Sequence, residues 1–227
     1  MEIVYVQSIN KMTKMARNTP SFNCLLLVVF LGFQTFCCEE IPLKEDHTAA
    51  PSVPDFNGTQ YAVCEMRPSS LLPEGQLQIY GQVLFRQVHP KDTLQVMINL
   101  QGFPSKDDQS RAIHIHEFGD LSSGCDSTGG HYNPLKVNHP NHPGDLGNFS
   151  GHNRSIRQVL IAPATLFGEL SVLGRAVVIH AKEDDMGQGG NEGSLLHGNA
   201  GQRLACCIIG VSTSRHWNKT VEPTVEE

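Results

Sequence analysis

The feature that most constrains this chain is a cluster of potential metal ligands in residues 111–148, which hold five of its eleven histidines. His114 and His116 flank one isoleucine in an alternating run, so on a β-strand both imidazoles point to the same face. A stretch rich in Gly, Pro and Asn follows, where the backbone can bring four more side chains together: His131, His139, His142 and Asp145. Imidazole suits copper and zinc, and three histidines with one carboxylate form a common tetrahedral zinc shell. We therefore predict two metal sites here.

The remaining histidines do not share this pattern. Most of them occur singly in polar surroundings and are interpreted as surface residues: His47, His89, His152, His197 and His216.

The N-terminal segment, residues 1–38, is predicted to be a secretory signal peptide. Basic residues precede an apolar run that is too short to span a bilayer comfortably. An uncleaved signal anchor is the alternative, which the short run and its polar Gln34 and Thr35 disfavour. Met12 and Met15 offer later starts, so the sequence leaves the initiation site open.

The charge of the mature chain excludes two classes of partner. Without residues 1–38 the chain keeps 14 basic and 22 acidic residues, a net charge of about −8. An acidic surface argues against binding to nucleic acid or to an anionic membrane. The remaining length fits one domain, predicted at 61–213, between a flexible lead-in at 39–60 and an acidic tail at 214–227.

Glycan acceptors also occur in these flanking segments. Asn57 and Asn218 lie in glycosylation sequons and predict a soluble glycoprotein, whereas Asn148 and Asn153 lie beside the metal cluster, where a glycan is less expected. After Val211 the chain has two Lys or Arg residues against three glutamates. Heparan sulfate needs a dense basic cluster, so we expect no strong heparin binding and elution from a heparin column at or below physiological salt.

Cysteine usage agrees with an oxidising compartment. Outside residues 1–38 the chain has Cys64, Cys125, Cys206 and Cys207, for which three disulfide pairings exist. The last two are adjacent on a predicted strand, so a bond between them would be strained. Two pairings remain open, each joining one of these cysteines to Cys125 and the other to Cys64. Zinc ligation by the thiols is the competing interpretation, but no CxxC pair is present.

Apolar residues alternate with polar ones in several stretches, which predicts strands, and no stretch shows a convincing helical period. Two long segments, at about 119–158 and 181–202, are predicted loops; the first carries ligands and the second is placed to cover the metals. This pattern favours an antiparallel β-sandwich or barrel. The strand candidates are the alternating residues Leu77, Ile79, Val83 and Phe85, then Leu94, Val96, Ile98 and Leu100, and the apolar runs 159–161, 172–180 and 204–211.

Five segments resemble, in order and spacing, those of the copper/zinc superoxide dismutases: HIHEFGD, GCDSTGGHYNPL, HPGDLGN, GRAVVIHAKEDDMGQGGNEG and GNAGQRLACCIIG. RAIHIHEFGDL, HYNPLKVNHPNHPGDLGNF and the double cysteine of RLACCIIGV resemble the secreted extracellular branch. The resemblance covers about residues 62–213. It implies an all-β, antiparallel Greek-key sandwich or barrel of about eight strands with two long functional loops. It also implies a homo-oligomeric enzyme of the extracellular space that dismutates superoxide to dioxygen and hydrogen peroxide.

The resemblance also implies roles for individual residues. Copper, which cycles one electron, would be held by His114, His116, His131 and His180, and structural zinc by His131, His139, His142 and Asp145. Asp184 would hydrogen-bond one histidine of each set, Arg203 would orient superoxide, and His131 would carry a proton. The implied disulfides are Cys125 with Cys206 and Cys64 with Cys207. Gly193 and Leu196 stand where cytosolic members have an acidic residue and a lysine, so the strength of electrostatic steering is not implied.

A histidine-rich metal cluster is also compatible with two other classes of function. A zinc-only hydrolase could use three histidines and an open position to activate water. A catalytically silent sandwich could serve in copper delivery or adhesion. The complete ligand set disfavours both, and Arg203 further disfavours the hydrolase.

Overall fold

The structure is a computed structural model that describes residues 58–221. The predicted signal peptide at 1–38, nearly all of the lead-in with Asn57 and His47, and residues 222–227 of the tail lie outside the described residues. Within 58–221, no helix has the length and apolar character needed to cross a membrane. The strands are β1 Gln60–Pro68, β2 Tyr80–Gln87, β3 Leu94–Gln101, β4 Ser110–His116, β5 Ser122–Cys125, β6 Asp145–Ser150, β7 Ser155–Ala162, β8 Ala176–His180, β9 Arg203–Ile208 and β10 Gly210–Ser212; the helices are α1 Glu192–His197 and α2 Ser214–Val221.

The strands form a nearly closed antiparallel barrel. Eight of them are hydrogen-bonded in the order β6, β4, β8, β9, β1, β2, β3, β7, and β10 pairs with β1. The two ends of this order, β6 and β7, contact each other. Strand β1 connects the first four strands of this order to the last three. Its residues Gln60 to Met66 pair with β2, and Arg67 and Pro68 pair with β9. The predicted all-β antiparallel fold is confirmed.

The barrel interior is built from the alternating residues of the sequence. On β3, Leu94, Val96, Ile98 and Leu100 are fully buried in the main core, and Gln95 and Asn99 point the other way. Burial of each such aliphatic side chain stabilises the fold by about 1.5–3 kcal/mol. This core fixes the strands that carry the metal ligands.

Helix α2 is a difference from the sequence-based expectation, which gave no helix. Its Trp217 packs on the outer face of the barrel against Leu84 and Met97, which pair across β2 and β3. All three side chains are at most 7% exposed. The Arg86 guanidinium lies 6.0 Å from the Trp217 ring centroid. The helix is stabilised because it buries an apolar patch on the outer surface of the sheet.

The two predicted loops also contain regular structure. The segment 119–158 includes β5, a 3-10 turn at Asp126–Thr128 and β6, and β7 begins within it. The segment 181–202 includes α1, whose first turn is capped by the Asn191 side chain accepting from the Ser194 amide. Gly198 ends α1 in the left-handed conformation at φ 61°. A side chain at Gly198 would collide with the carboxylate of Asp184, so α1 can lie directly over the metal-binding loop.

Candidate metal centre

Strands β4 and β8 place three histidines side by side. His114 and His116 lie on β4, and His180 ends β8, which pairs antiparallel with β4. The pairing register shifts between Ile113 and His114 and between Ile179 and His180, and such bulges re-aim side chains at strand ends. His131 joins them from the loop, where it forms an isolated bridge with His116. One nitrogen from each of the four rings lies within 4.8 Å of the others, and all four residues are buried.

Each of the three strand histidines is held by one ring nitrogen. Nε2 of His114 lies 2.9 Å from Oδ2 of Asp184, Nδ1 of His116 lies 3.0 Å from the Gly129 carbonyl, and Nδ1 of His180 lies 3.2 Å from the Gly201 carbonyl. A nitrogen that donates to oxygen leaves the opposite nitrogen with a free lone pair. These opposite nitrogens are Nδ1 of His114, which has no hydrogen-bond partner, and the Nε2 atoms of His116 and His180, which lie 3.2 Å from each other. The surrounding carbonyls and carboxylate thus aim three lone pairs at one point.

A second group of ligands shares His131 with the first. His131, His139, His142 and Asp145 each offer an atom within 4.8 Å of the others. Oδ1 of Asp145 lies 2.8 Å from Nδ1 of His131. Its Oδ2 lies 2.9 Å from Nδ1 of His139 and 3.2 Å from Nδ1 of His142. Those two nitrogens are buried and make no well-aligned hydrogen bond, although both lie close to the Asp145 carboxylate. This geometry indicates that their lone pairs and the carboxylate converge on one position.

Asp184 connects the two groups. Its Oδ1 lies 2.6 Å from Nε2 of His139, and its Oδ2 bonds the His114 ring. The Asn148 amide fixes the Asp184 backbone with two hydrogen bonds of 2.8 Å, one donated and one accepted. One positioned carboxylate therefore orients a ring of each group.

Burial keeps three of these imidazoles neutral. It lowers the pKa of His131 to about 4 and the pKa of His180 to about 3, and it lowers the pKa of His116 well below its ordinary value. Neutral imidazole is the form that binds metal. Burial opposes ionisation of Asp145 and Asp184, but hydrogen bonds from the histidines hold the pKa of both carboxyls below the usual range.

The residues fit two metal ions. Buried polar atoms are costly without a partner, and six such side-chain nitrogens occur among the described residues. Two are the Nε atoms of Arg86 and Arg111, and four are imidazole nitrogens: Nδ1 of His114, Nε2 of His131, Nδ1 of His139 and Nδ1 of His142. All four belong to the two groups. A bound cation would satisfy them, and imidazoles with one carboxylate are donors for copper and zinc. His131 faces both groups, with Nδ1 beside Asp145 and Nε2 toward the first group.

Arg203 stands beside this centre at the start of β9. Its Nη1 donates to the Cys125 carbonyl at 2.9 Å and to Oγ1 of Thr128 at 3.0 Å, and its Nη2 donates to the Gly129 carbonyl at 2.7 Å. Arg203 borders a cleft of about 660 Å³ together with His116, His131 and His180. Since arginine remains protonated in proteins, this cleft carries a permanent positive charge.

The structure contains two disulfides, Cys125–Cys206 and Cys64–Cys207. They are the pairs implied by the resemblance, and none of the four sulfurs is available as a zinc ligand. The Cys125 carbonyl accepts from Arg203, so the first disulfide also fixes the loop that holds the guanidinium.

The isolated histidines that the structure describes lie at the surface, as the sequence predicted. His89, His152, His197 and His216 are exposed, although His197 also borders the cleft. Sequence reasoning missed the backbone carbonyls that accept hydrogen bonds from the histidine rings, such as those of Gly129 and Gly201. Every residue has a backbone carbonyl, so the sequence does not show which ones serve as acceptors. It also missed Asn148, whose amide is fully engaged with Asp184.

Comparison with known proteins agrees with this geometry. The family described as copper/zinc superoxide dismutase (SODC) matches residues 79–209. The extracellular superoxide dismutase (Cu-Zn) of Rattus norvegicus is 55% identical over 159 residues, which are 69% of this chain and 65% of the relative. That of Homo sapiens is 50% identical over 167 residues, 73% of this chain and 70% of the relative. A superoxide dismutase (Cu-Zn) of Cryptococcus neoformans is 41% identical over 148 residues, 62% of this chain and 95% of the relative.

The chain spans slightly less than two thirds of the length of the rodent relatives, 65% of the rat protein and 63% of the Mus musculus protein. The family match alone covers more than half of the present chain. This chain therefore belongs to the copper/zinc superoxide dismutase family.

Proposed function

We propose that this protein is a secreted oxidoreductase of the extracellular space that dismutates superoxide to dioxygen and hydrogen peroxide. The observation that carries the proposal is the pair of buried ligand groups that share the His131 ring at a cationic cleft. The names of the rat, mouse, human and rabbit relatives, all extracellular superoxide dismutases, support the location. We propose residues 61–213 as the enzyme domain, with 1–38 removed as the signal peptide.

The first group would hold copper and the second zinc. The copper ligands would be His114, His116, His131 and His180, and the zinc ligands His131, His139, His142 and Asp145. When bound, copper supplies one-electron chemistry and redox-silent zinc shapes the site. Asp184 fixes one ring of each group, which limits the movement of the ligands during turnover.

Arg203 attracts and orients the substrate. Its charge is permanent, and no carboxylate lies among the described residues that line the cleft. Nε–H and one Nη2–H have no acceptor within the described part of the chain, where the other guanidinium donors bond the loop backbone and Thr128. These donors are available to a small anion, whose approach the local positive field would accelerate.

His131 supplies a proton. Its Nδ1 is held beside Asp145, whereas its buried Nε2 has no hydrogen-bond partner and faces the first group. We assign Nε2 as the atom that takes up a proton and delivers it to the peroxide product.

The surface supports further proposals about partners. Phe118, Leu121 and Ile208 are 48%, 36% and 44% exposed, and Leu121 and Ile208 border one shared cleft. Clustered exposed apolar side chains are typical of a protein interface, so we propose a homo-oligomer that buries this area.

The mature net charge of about −8 supports the expected absence of strong heparin binding. Asn218 is exposed on α2, which supports its use as a glycan acceptor.

The proposal is tested by measuring bound metal and superoxide decay on protein purified from culture medium. We expect about one copper and one zinc per chain, dismutation, and an N-terminus near residue 39. His180→Ala should abolish dismutation and keep zinc, while His152→Ala, a change at an exposed histidine, should alter neither. Full activity in His180→Ala would refute the copper assignment. Zinc alone, with hydrolysis in place of dismutation, would favour the hydrolase.

A further inference from the structure

The cleft above the metal centre is larger than a diatomic substrate requires. Its volume is about 660 Å³, which lies within the range of about 300–1,000 Å³ that small organic ligands occupy in proteins. A water molecule takes about 30 Å³ of liquid volume. The cleft therefore has room for a ligand of several carbon atoms as well as for superoxide.

The chemistry of its walls selects the class of such a ligand. Val137, Leu195 and Leu196 line the cleft and are 38%, 43% and 56% exposed. Arg203 carries the only permanent charge among the described residues that line it, and no Asp or Glu is among them. Apolar walls with one fixed cation match an amphipathic monoanion: an acidic head with a short alkyl chain.

The apolar wall is held in place before any ligand arrives. The Leu195 carbonyl accepts from the His139 amide at 3.0 Å, which ties α1 to the metal-binding loop. The buried Ser194 hydroxyl donates to Oδ1 of Asp185 at 2.7 Å, and the Asn133 side chain bonds both backbone groups of Val137 at 2.8 and 3.1 Å. A preformed wall does not lose ordering entropy on binding, which favours affinity.

We propose that this cleft binds one short-chain aliphatic monocarboxylate, such as hexanoate, with the carboxylate at Arg203 and the alkyl chain on Leu195, Leu196 and Val137. The binding would obstruct the path of superoxide to the metal centre. That consequence rests on the proposed dismutase function, whereas the binding itself does not.

Calorimetric titration of the metal-loaded protein with acetate, butanoate and hexanoate at constant ionic strength tests the proposal. Each methylene on a half-exposed wall should tighten binding about twofold, so hexanoate, with four more methylenes, should bind about sixteenfold more tightly than acetate, at one molecule per chain. The double variant Leu195→Ser/Leu196→Ser should remove most of this preference and leave acetate affinity unchanged. Leu71→Ser is the matched control, since Leu71 is 59% exposed outside the cleft.

Arg203→Gln should weaken acetate and hexanoate by a similar factor, because both place a carboxylate at that side chain. Equal affinities for acetate and hexanoate in the unaltered protein, or no hexanoate binding, would overturn the proposal. A hexanoate preference that survives Leu195→Ser/Leu196→Ser would also overturn it, and Leu196→Ser alone repeats the test if the double variant unfolds. Superoxide decay is measured separately, so chain-length-dependent binding without dismutation would sink the proposed function and leave this inference standing.

Discussion

Nε2 of His139 lies 2.6 Å from Oδ1 of Asp184, a residue 45 positions further along the chain. The second oxygen of the same carboxylate lies 2.9 Å from Nε2 of His114. A single side chain from the segment after β8 thus orients one ligand of each metal group. We therefore expect the affinities of the two metal sites to be coupled through Asp184.

Asp184→Asn should lower the affinity for both metals, because an amide offers one acceptor oxygen where the carboxylate offers two. Loss of such an outer contact typically costs about 10–100-fold in metal affinity. Competition with chelators of graded strength measures the loss for copper and zinc separately. Glu183→Gln, a change at the exposed neighbour, should leave both affinities unchanged. A loss confined to one metal would contradict the coupling.

Removing the Cys125–Cys206 disulfide should lower both stability and metal affinity. The bond spans 81 residues, and the chain-entropy model gives about 4.5 kcal/mol for a loop of that length. Cys125→Ser/Cys206→Ser should therefore shift the denaturant midpoint, and it should also loosen the loop of Arg203 and His131. Cys64→Ser/Cys207→Ser is the comparison: it should lower stability but keep metal affinity. Equal metal losses in both variants would show that the first disulfide has no special role at the site.

Arg203→Ile should slow dismutation at low salt far more than it changes metal content, because the guanidinium acts on the approaching anion. The effect should shrink as added salt screens the field. Stopped-flow superoxide decay over a salt series measures it. Arg157→Ile, a change at an exposed arginine of β7, should have little effect, and Arg203→Lys should retain part of the rate. A rate unchanged at low salt would mean that Arg203 does not act on the substrate.

Trp217→Ala should destabilise the protein by about 3 kcal/mol, because it uncovers Leu84 and Met97 on the outer face of the sheet. Metal content should stay unchanged, since none of these residues contacts the ligand groups. Denaturant unfolding and metal analysis provide the two readouts, with His216→Ala as the exposed control on the same helix. If unfolding is unaffected, α2 does not contribute to stability in solution.

The metal-free protein should be most stable near pH 6.5. His131 and His180 have folded pKa values of about 4 and about 3, below the ordinary value of 6.5, so the unfolded chain binds more protons as pH falls from 6.5 toward 4. Stability should then drop by about 1.4 kcal/mol per pH unit for each histidine.

Above pH 6.5 the stability of the folded protein should fall as pH rises, because of His139. Burial alone would lower its pKa, but the adjacent carboxylates of Asp145 and Asp184 raise it to about 9. Its contribution is complete below 6.5 and is lost as pH rises through 9. Chemical unfolding of chelator-treated protein from pH 4 to 9 checks both arms. Stability that rises steadily over this range would contradict the assignment to His139.

Residue pattern predicted the β architecture and much of the metal cluster. The strict alternation in β3 marked the interior face, and the Gly-rich ligand loop was found through its spacing of histidines. His180 and Arg203 came from the family resemblance alone, because each lies at a strand end far in sequence from the cluster. His180 reaches the cluster only when β8 pairs with β4, and Arg203 only when β9 pairs with β8.

Helix α2 escaped prediction for a physical reason. A helix of eight residues has too few positions to show a clear period, and its one large apolar residue is Trp217. The signal lay instead in the strands, where Val83, Leu84 and Phe85 form an unbroken apolar triplet opposite Val96, Met97 and Ile98. Consecutive apolar residues indicate a strand buried on both faces, so the outer residues required a cover from elsewhere in the chain.

Strand β9 is fastened covalently on both of its sides. Cys207 points into the main core and binds Cys64 of β1, whereas Cys206 points to the opposite face and binds Cys125. Sliding β9 by one position would exchange the two faces and carry both sulfurs out of reach of their partners. The oxidised strand therefore has one permitted alignment with β8 and β1. Arg203 is the first residue of this strand, so the alignment that the two disulfides impose also sets the position of its backbone beside the cleft.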